Sequence, residues 1–541
     1  MRMLFKSLLR NIGRASPGAA PRVRTTAELM AEGRARFDAN DLVRAQLLFE
    51  DVLEIDPGHA DALHFMGLTG HRIRDLGFAL EYFERSIQAR PNDAVFHNNL
   101  GSILVQAGRS EEAVVFFRKA LEIDPGMHAA RANLIFIMVL LESVRPEDVY
   151  AEHVAWAKIH ADPFLAQAKP HANSRDPDRR LRIGYLSADF RKHALSYFIT
   201  PALEQHDAAA VEVFCYYSGR IVDDATKRLA QHADHWHDII DLDDKQAADL
   251  IRSHGIDILI DLSGHLRENR LLVFARKPAP IQVTYLAYPN TTGMRAMDYR
   301  ITDGVCDPIG ATERYYRETL IRLPRCMWCY QPRADMPEVA PSPAKKHGGV
   351  TFASMNGASK VTPRMLSLWA RVLGEVPGSR IVLTTVPEQG RERIRDALTQ
   401  AGVAAERVSL HDRLPTKDFW ALYADIDIML DTFPMNGGTT TCEALWLGVP
   451  VISRSGEIFQ TRAGMSILGS MGLDELIAGS DEDYVRIAVD LARDTDRLVD
   501  LRAGLRERMR NSSLTAARPY ARALEAAYRD IWRRWCTRPL Q

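Results

Sequence analysis

The sequence predicts an α-helical repeat solenoid followed by a two-lobed α/β protein with mainly parallel sheets. Three observations predict it: a 34-residue periodicity near the N-terminus, an alternation of β-rich runs with helical stretches after residue 180, and a second alternation after a proline-rich segment. The 541 residues allow three or four domains, because a domain averages roughly 150 residues. A single-core protein is therefore excluded.

The composition is that of an ordinary globular protein. Hydrophobic residues make up 46% and charged residues 26%, and 69 Lys and Arg against 70 Asp and Glu give a formal net charge of -1. No global field favours nucleic acid, so we expect no nucleic-acid partner. No apolar run reaches the roughly 18 residues that suggest a transmembrane segment. We expect a soluble, cytoplasmic protein without a transmembrane segment.

Neither a disulfide framework nor a metal site is predicted. Six cysteines in so long a chain fit a reducing compartment. Cys326 and Cys329 have C-x-x-C spacing, but no second pair completes a zinc site. Asp425 and Asp427 have the D-x-D spacing of metal-dependent sugar transferases, but they lie within or before a strand run. No metal ligands are assigned.

The N-terminal residues 1–24 carry six basic residues and no acid. Their apolar stretch, Leu4 to Leu9, is short and interrupted by Lys6 and Ser7, which disfavours a secretory signal. We expect a disordered basic tail, with a membrane-surface anchor as the alternative.

A four-residue pattern recurs three times at steps of 34 residues. Its members are Gly33, Ala45, Phe49 and Pro57, then Gly67, Ala79, Phe83 and Pro91, then Gly101, Ala113, Phe117 and Pro125. This is the tetratricopeptide signature, in which small residues let two helices approach and the aromatic residue fills the space between repeats. We predict three repeats over 26–127, capped by a helix at Ala132 to Leu141. Their groove is expected to hold protein or peptide partners; a spacer or a dimerisation surface, and hence a homodimer, is the alternative.

The rest of the chain alternates strands and helices. We predict nine strands: Arg182 to Ser187, Val211 to Tyr217, Ile256 to Leu262, Ile281 to Leu286, Val350 to Ser354, Arg380 to Thr385, Val408 to Leu410, Ile426 to Leu430 and Val451 to Ser453. The predicted domains are the tail 1–24, the repeats and capping helix 25–142, a linker helix 143–180, a first lobe 181–336 and a second lobe 345–541. Ligands of such open sheets bind beyond the carboxyl ends of the strands.

A glycine- and threonine-rich loop follows the strand Ile426 to Leu430. In it, Gly437 and Gly438 permit close approach of a ligand to the backbone, and Thr439, Thr440 and Thr441 place hydroxyl and amide donors at a helix start. This pattern suits a diphosphate, and Glu443, one turn further, can accept bonds from ribose hydroxyls. A capped helix without ligand is the alternative.

Three further side chains follow strand ends. Lys360 is a candidate cation for a departing diphosphate, with an exposed surface lysine as the alternative. His193 is a candidate proton acceptor, and His265 has a similar position. Either histidine can equally be a structural hydrogen-bonding group.

Several long motifs resemble the O-GlcNAc transferase/SPINDLY family over about residues 26–535. They are Ile183 to Phe198, Arg276 to Thr292, Met297 to Asp303, the Lys360 loop and Asp431 to Glu443. The resemblance implies tetratricopeptide repeats followed by a GT-B glycosyltransferase of two Rossmann-like lobes. It also implies inverting, metal-independent transfer of a sugar from a nucleotide sugar, a co-substrate rather than a cofactor, to Ser or Thr of protein acceptors.

The resemblance also assigns site residues. His193 resembles the active-site histidine, and Lys360 the lysine that contacts the donor diphosphate. Thr439, Thr440 and Glu443 resemble the donor-binding loop, whereas Gly357 stands where either branch of the family tends to carry an amide side chain. The predicted donor-binding set comprises Gly357, Lys360, Asn436, Gly437, Gly438, Thr439, Thr440, Thr441 and Glu443.

The donor is left open between UDP-GlcNAc and GDP-fucose. O-GlcNAc transferases typically have His at the place of Gly438 and a shorter acid at that of Glu443, and this loop resembles the SPINDLY branch, whose plant members use GDP-fucose. Gly456, Glu457 and Arg462 instead resemble O-GlcNAc transferases. Two alternatives remain: a transferase of another sugar, such as a CMP-linked one, to a flagellin or envelope acceptor, and a catalytically dead scaffold.

Overall fold

The computed structural model describes residues 24–343 and 349–539. Apart from Arg24, the predicted basic tail therefore lies outside the described residues. The chain divides into two units, of which the first ends at Asn92 and the second begins at Asp93.

The first unit contains two helix pairs, one for each of the first two repeats. In both pairs the recurring glycine faces the recurring phenylalanine: a Cβ atom on Gly33 would lie 2.5 Å from the ring of Phe49, and one on Gly67 would lie 2.6 Å from Phe83. The glycines are therefore required for the close helix approach that the spacing predicts. The helices are α1 (Thr26–Asp38), α2 (Leu42–Ile55), α3 (Ala60–Arg72) and α4 (Leu76–Ala89).

The second unit begins with the third repeat, in which a Cβ atom on Gly101 would lie 2.7 Å from Phe117. The repeat consists of α5 (Ala94–Gln106) and α6 (Ser110–Ile123), followed by α7 (His128–Met138), α8 (Pro146–His160) and α9 (Asp162–Leu165). The predicted capping helix corresponds to α7, which begins and ends earlier than the apolar stretch. The predicted domain 25–142 groups all three repeats, whereas the structure places the third repeat with the lobes.

The third repeat belongs with the lobes because it packs against them. A Cβ atom on Gly108, in the turn between α5 and α6, would lie 2.7 Å from Nη2 of Arg393 in the second lobe. Arg364 of the same lobe donates to the Glu142 carboxylate at 2.6 Å, just after α7.

The first lobe is a seven-stranded parallel sheet in the order β3-β2-β1-β4-β5-β6-β7. Its strands are β1 (Leu181–Ser187), β2 (Val211–Tyr217), β3 (His235–Asp238), β4 (Ile258–Asp261), β5 (Ile281–Thr284), β6 (Tyr299–Asp303) and β7 (Thr319–Leu323). Its helices are α10 (Ser196–Gln205), α11 (Asp224–Ala230), α12 (Asp244–Ser253) and α13 (Leu271–Ala275). The four predicted strands are confirmed. The prediction missed β3, β6 and β7, and β3 is a polar edge strand without an apolar run.

The second lobe is a six-stranded parallel sheet in the order β10-β9-β8-β11-β12-β13. Its strands are β8 (Thr351–Ser354), β9 (Arg380–Leu383), β10 (Val408–Leu410), β11 (Ile428–Leu430), β12 (Val451–Arg454) and β13 (Ile477–Ala478). Its helices are α14 (Pro363–Glu375), α15 (Glu388–Gln400), α16 (Thr416–Leu422), α17 (Thr439–Trp446), α18 (Ala463–Gly469), α19 (Asp481–Arg493) and α20 (Thr495–Arg510). All five predicted strands are present, and β13 was not predicted.

The last helix, α21 (Ala517–Thr537), packs against the first lobe. The carboxylate of Glu525 accepts bonds from Nδ1 of His206 at 3.0 Å and from the amide of Asp207 at 2.8 Å. The predicted boundary 345–541 assigns this helix to the second lobe, and its contacts correct that assignment. The chain returns from the second lobe to the first because α21 has an apolar face that α10 covers.

Within residues 24–343 and 349–539, no helix is both long and apolar enough to cross a membrane. In the same ranges, no cluster of three or more His, Cys, Asp and Glu side chains is arranged to hold a metal ion. Asp427 of the D-x-D pair accepts the Thr351 amide at 2.9 Å, so its carboxylate joins two strands.

Candidate active site

A cavity of about 420 Å³ lies between the carboxyl ends of the two sheets. The first lobe contributes its wall through His193, Leu195 and Phe198, among others, and the second lobe contributes the Lys360 and glycine loops. Seven of the predicted site residues line it: His193, Gly357, Lys360, Asn436, Gly438, Thr439 and Thr440. Residues distant in sequence thus meet at the place expected for a ligand of open α/β sheets.

Lys360 is the cation of this cavity. It ends a short 3₁₀ turn, Ala358–Lys360, directly before α14. Its Nζ donates to the main-chain oxygen of Asn436 at 2.9 Å. Burial lowers the pKa of Lys360, and the nearby Asp431 carboxylate opposes this effect. A partly buried ammonium interacts more strongly with a phosphate than one in water, because the local dielectric is lower.

The N-terminus of α17 faces the same cavity. Gly438 is its N-cap, and no side chain caps the helix. The amides at its start therefore have no partner within the helix, which is the arrangement that binds phosphate groups. A Cβ atom on Gly357 or Gly438 would meet nothing within 4 Å, so both glycines border open space.

Asp431 organises the loop between β11 and α17. Its buried carboxylate accepts the amides of Gly437 at 2.7 Å and Thr432 at 2.9 Å, and the Ser453 hydroxyl at 2.7 Å. Burial raises the pKa of Asp431, and the bonds from Ser453 and Gly437 oppose this effect. The side chain holds the backbone in the conformation that presents the start of α17.

Asn356 links the two loops of the second lobe. Its Oδ1 accepts the Thr440 hydroxyl at 3.1 Å, and its Nδ2 donates to Asp431 at 3.4 Å. The sequence prediction assigned no role to Asn356 or Asp431. Their positions could have indicated a role, since each residue follows the end of a strand by one or two residues.

His193 lies on the opposite wall, in the loop after β1. Its Nδ1 accepts the amide of Leu195 at 3.3 Å and lies 3.6 Å from Oδ2 of Asp189. Burial lowers the pKa of His193, and the Asp189 carboxylate opposes this effect. A lowered pKa keeps the imidazole neutral at pH 7.

Three predicted donor-binding residues lie behind the cavity wall. A Cβ atom on Gly437 would lie 2.6 Å from the Thr440 hydroxyl, so this glycine is needed for loop packing. Thr441 donates its hydroxyl to the Gly437 oxygen at 3.0 Å. Glu443 is buried and accepts Nε1 of Trp420 at 3.1 Å, and burial raises its pKa to about 7. The side chains of Thr441 and Glu443 are used inside the protein, because α17 turns them away from the cavity.

His265 is also structural in this arrangement. It is 3% exposed, its Nε2 contacts the Thr292 oxygen at 2.9 Å, and burial lowers its pKa well below the usual value. It does not line the cavity.

Two parallel-sheet lobes with a site between them define the GT-B class of glycosyltransferase folds, and in this chain helical repeats precede the lobes. The profile of Glycosyl transferase family 41 matches residues 152–339 and 344–524, and tetratricopeptide repeat profiles match 30–94 and 94–127. The chain belongs to glycosyl transferase family 41.

Two named relatives and a solved structure agree with this membership. The chain is 38% identical over 424 residues to the probable UDP-N-acetylglucosamine–peptide N-acetylglucosaminyltransferase SPINDLY of Petunia hybrida, covering 77% of this chain and 45% of that protein. It is 31% identical over 400 residues to the Arabidopsis thaliana protein named SEC, covering 72% and 41%. A variant of the Thermobaculum terrenum O-GlcNAc transferase superimposes with a TM-score of 0.87 at 37% identity, covering 95% of this chain and 99% of that one. The chain spans less than half the length of these plant relatives.

Proposed function

We propose that this chain transfers a sugar from a nucleotide sugar to Ser or Thr hydroxyls of protein acceptors, with inversion and without a metal. The observation that carries the proposal is the meeting of Lys360, the open start of α17 and His193 around one cavity. The names of the relatives support the reaction class, since they describe peptide N-acetylglucosaminyltransferases.

Stabilisation of the leaving group is the main chemical task of the second lobe. In an inverting displacement, the acceptor oxygen forms a bond to the sugar carbon and its proton passes to solvent or to the departing diphosphate. The bond from the sugar carbon to the diphosphate breaks in the same step, so negative charge grows on the diphosphate. Lys360 Nζ and the amides at the start of α17 are the donors for that charge. They are held in place before the reaction by the bonds to Asn436 and Asp431, so little reorganisation is needed.

His193 has the position of a residue that orients the acceptor. With Nδ1 accepting the Leu195 amide, the proton of the neutral ring lies on Nε2, which then donates a hydrogen bond. We infer that His193 positions the acceptor in this tautomer. To act as a base through Nε2, His193 requires the other tautomer, in which the proton is on Nδ1. That proton would point toward Oδ2 of Asp189, which lies 3.6 Å from Nδ1.

Two sugar nucleotides are candidates for the donor substrate, and a different observation supports each of them. The names of the relatives support UDP-GlcNAc. The SPINDLY-like loop supports GDP-fucose, and the open space at Gly438 leaves room for a base that a larger side chain would restrict. We place GDP-fucose first. The acceptor is proposed to be a protein segment held by the tetratricopeptide groove.

Calorimetric titration of the full chain with UDP, GDP and CMP tests this proposal. We expect binding of one nucleotide with clear preference, and loss of at least about tenfold in affinity in Lys360→Ala, since a charge-assisted bond to phosphate is removed. Lys227→Ala, which removes an exposed lysine outside the cavity, is the matched control. Preference for GDP supports a fucosyl donor, preference for UDP supports GlcNAc, and preference for CMP supports the alternative sugar. If no nucleotide binds, the scaffold interpretation replaces the enzyme.

A further inference from the structure

A second cavity, of about 730 Å³, lies on the first lobe at the opposite edge of its sheet. Its wall includes Arg182 at the start of β1, Glu212 at the start of β2 and Gly255 just before β4. The candidate active site lies beyond the carboxyl ends of these strands, so the two cavities are separate. The segment around His171 forms another part of the wall.

Four arginines and a single carboxylate line this second cavity, which we call the arginine cavity. The arginines are Arg179, Arg180, Arg182 and Arg252, and the carboxylate is Glu212. The Glu212 carboxylate is already shared, because it contacts Nε of Arg182 at 3.3 Å and Nε2 of His235 at 2.9 Å. The wall therefore has an excess of positive charge.

Three of the four guanidinium groups have acidic partners. Arg179 forms a two-bond ion pair with the buried Asp257. Arg180 and Arg182 form longer pairs, at 3.5 Å to Asp234 and at 3.3 Å to Glu212. Both of the longer pairs are partly exposed, and each leaves guanidinium donors available to a ligand.

Arg252 differs, because no carboxylate among the described residues lies within ion-pair distance of it. Its Nη2 donates to the Lys277 oxygen at 2.6 Å, and its Nη1 lies 3.3 Å from the Lys169 oxygen and 3.4 Å from Nδ1 of His171. All three partners are uncharged main-chain or imidazole atoms. Burial, together with the Arg252 charge, lowers the pKa of His171 to about 4, so this imidazole is neutral at pH 7 and accepts the bond.

We propose that the arginine cavity binds a phosphate group, carried by a small phosphorylated molecule, between Arg252 and Arg182. The forked donors of arginine match the oxygen geometry of phosphate, and bonds between two charged groups are stronger than neutral ones. The anion supplies the ion-pair partner that Arg252 lacks among the described residues, where the Asp249 carboxylate acts on it only from beyond ion-pair distance. This site is independent of the proposed transfer reaction, because none of its residues lines the candidate active site.

Pyrophosphate binding to the full chain tests the site. Calorimetric titrations are made with the wild type, Arg252→Gln, Lys360→Ala and Arg220→Gln, the last of which removes an exposed arginine of the same lobe outside the cavity. We expect pyrophosphate binding to this site to persist in Lys360→Ala and Arg220→Gln. In Arg252→Gln, the affinity for pyrophosphate should fall by about tenfold or more. Glutamine retains donors for the neighbouring main-chain oxygens, and circular dichroism checks that the variant is folded.

Arginine modification by phenylglyoxal gives a second, positional readout. Pyrophosphate is expected to protect Arg252 or Arg182 in the wild type, as measured by peptide mass spectrometry. Repeating the titration with inorganic phosphate and with a hexose phosphate distinguishes a free anion from a phosphate ester. The proposal is overturned if the wild type binds none of these probes, if Lys360→Ala abolishes all binding, or if Arg252→Gln gives the wild-type isotherm.

Discussion

The Nζ atom of Lys360 donates to the main-chain oxygen of Asn436 at 2.9 Å and so joins two loops that are 76 positions apart in sequence. One loop follows β8 and the other follows β11, which are neighbours in the second sheet. The bond holds the ammonium beside the start of α17. A cation and a set of amide donors thereby share one side of the cavity.

Loss of the Lys360 ammonium is expected to slow transfer itself. In single-turnover assays with saturating donor, Lys360→Ala should reduce the rate by about 10²- to 10³-fold, the range found for removal of one anion-stabilising donor. Lys227→Ala should retain the wild-type rate. Near-complete activity in Lys360→Ala would contradict the leaving-group assignment.

The two glycines of the loop after β11 are expected to respond differently to an added methyl group. Gly437→Ala places a Cβ atom 2.6 Å from the Thr440 hydroxyl, whereas Gly438→Ala meets nothing within 4 Å. Gly437→Ala should therefore weaken nucleotide affinity by about tenfold or more through loop strain of about 1–3 kcal/mol, and Gly438→Ala should change it little. Calorimetry on the two variants checks this, and equal effects would show that Gly437 is not held by packing.

The side chain at position 438 is expected to affect the choice of nucleotide. Gly438 borders open space and has a negative φ of -110°, so Gly438→His is compatible with the backbone. We expect this variant to shift the ratio of UDP to GDP affinity toward UDP by about tenfold, since one buried polar contact is worth roughly 1–3 kcal/mol. Unchanged ratios would place base selection elsewhere in the cavity.

Glu443 is expected to make stability depend on pH. Burial raises its pKa from the usual 4.5 to about 7, so between these values the folded state binds a proton that the unfolded state releases. Stability should therefore fall as pH rises through this interval and remain lower above it, by up to about 3 kcal/mol. In Glu443→Gln, which has no proton to lose, the melting temperature should fall less from about pH 5 to about pH 8. Parallel curves for the two proteins would contradict the raised pKa.

The glycine of the third repeat is expected to be essential for packing. Gly101→Ala places a Cβ atom 2.7 Å from the buried ring of Phe117 and should destabilise the repeat by about 1–3 kcal/mol. Gly504→Ala, in the middle of α20 with nothing within 4 Å, should instead stabilise by up to about 1 kcal/mol through helix propensity. Differential scanning fluorimetry compares the two, and a raised melting temperature in Gly101→Ala would contradict the close approach.

The repeats and most strands were predictable because their determinants are local. The spacing of Gly101 and Phe117 encodes a contact between two adjacent helices, and apolar runs such as Val211–Tyr217 form buried strands wherever a sheet is available. Strand β3, with the sequence HWHD, has no such run, and it forms because it pairs with β2 at the edge of the sheet. Its strand conformation therefore depends on pairing with β2, which the local sequence does not encode.

The loops of the candidate site were predictable from the sequence, but the contacts between its side chains and neighbouring elements were not. Glycine and threonine at a helix start identify the loop before α17 without a structure. The direction of Glu443 toward Trp420, the bonds of Asp431 and the return of α21 to the first lobe all depend on which elements meet in space. Local sequence patterns therefore specify the elements and the residue types that the site requires. Which side chains reach the cavity, and which are used within the protein, depends on tertiary packing.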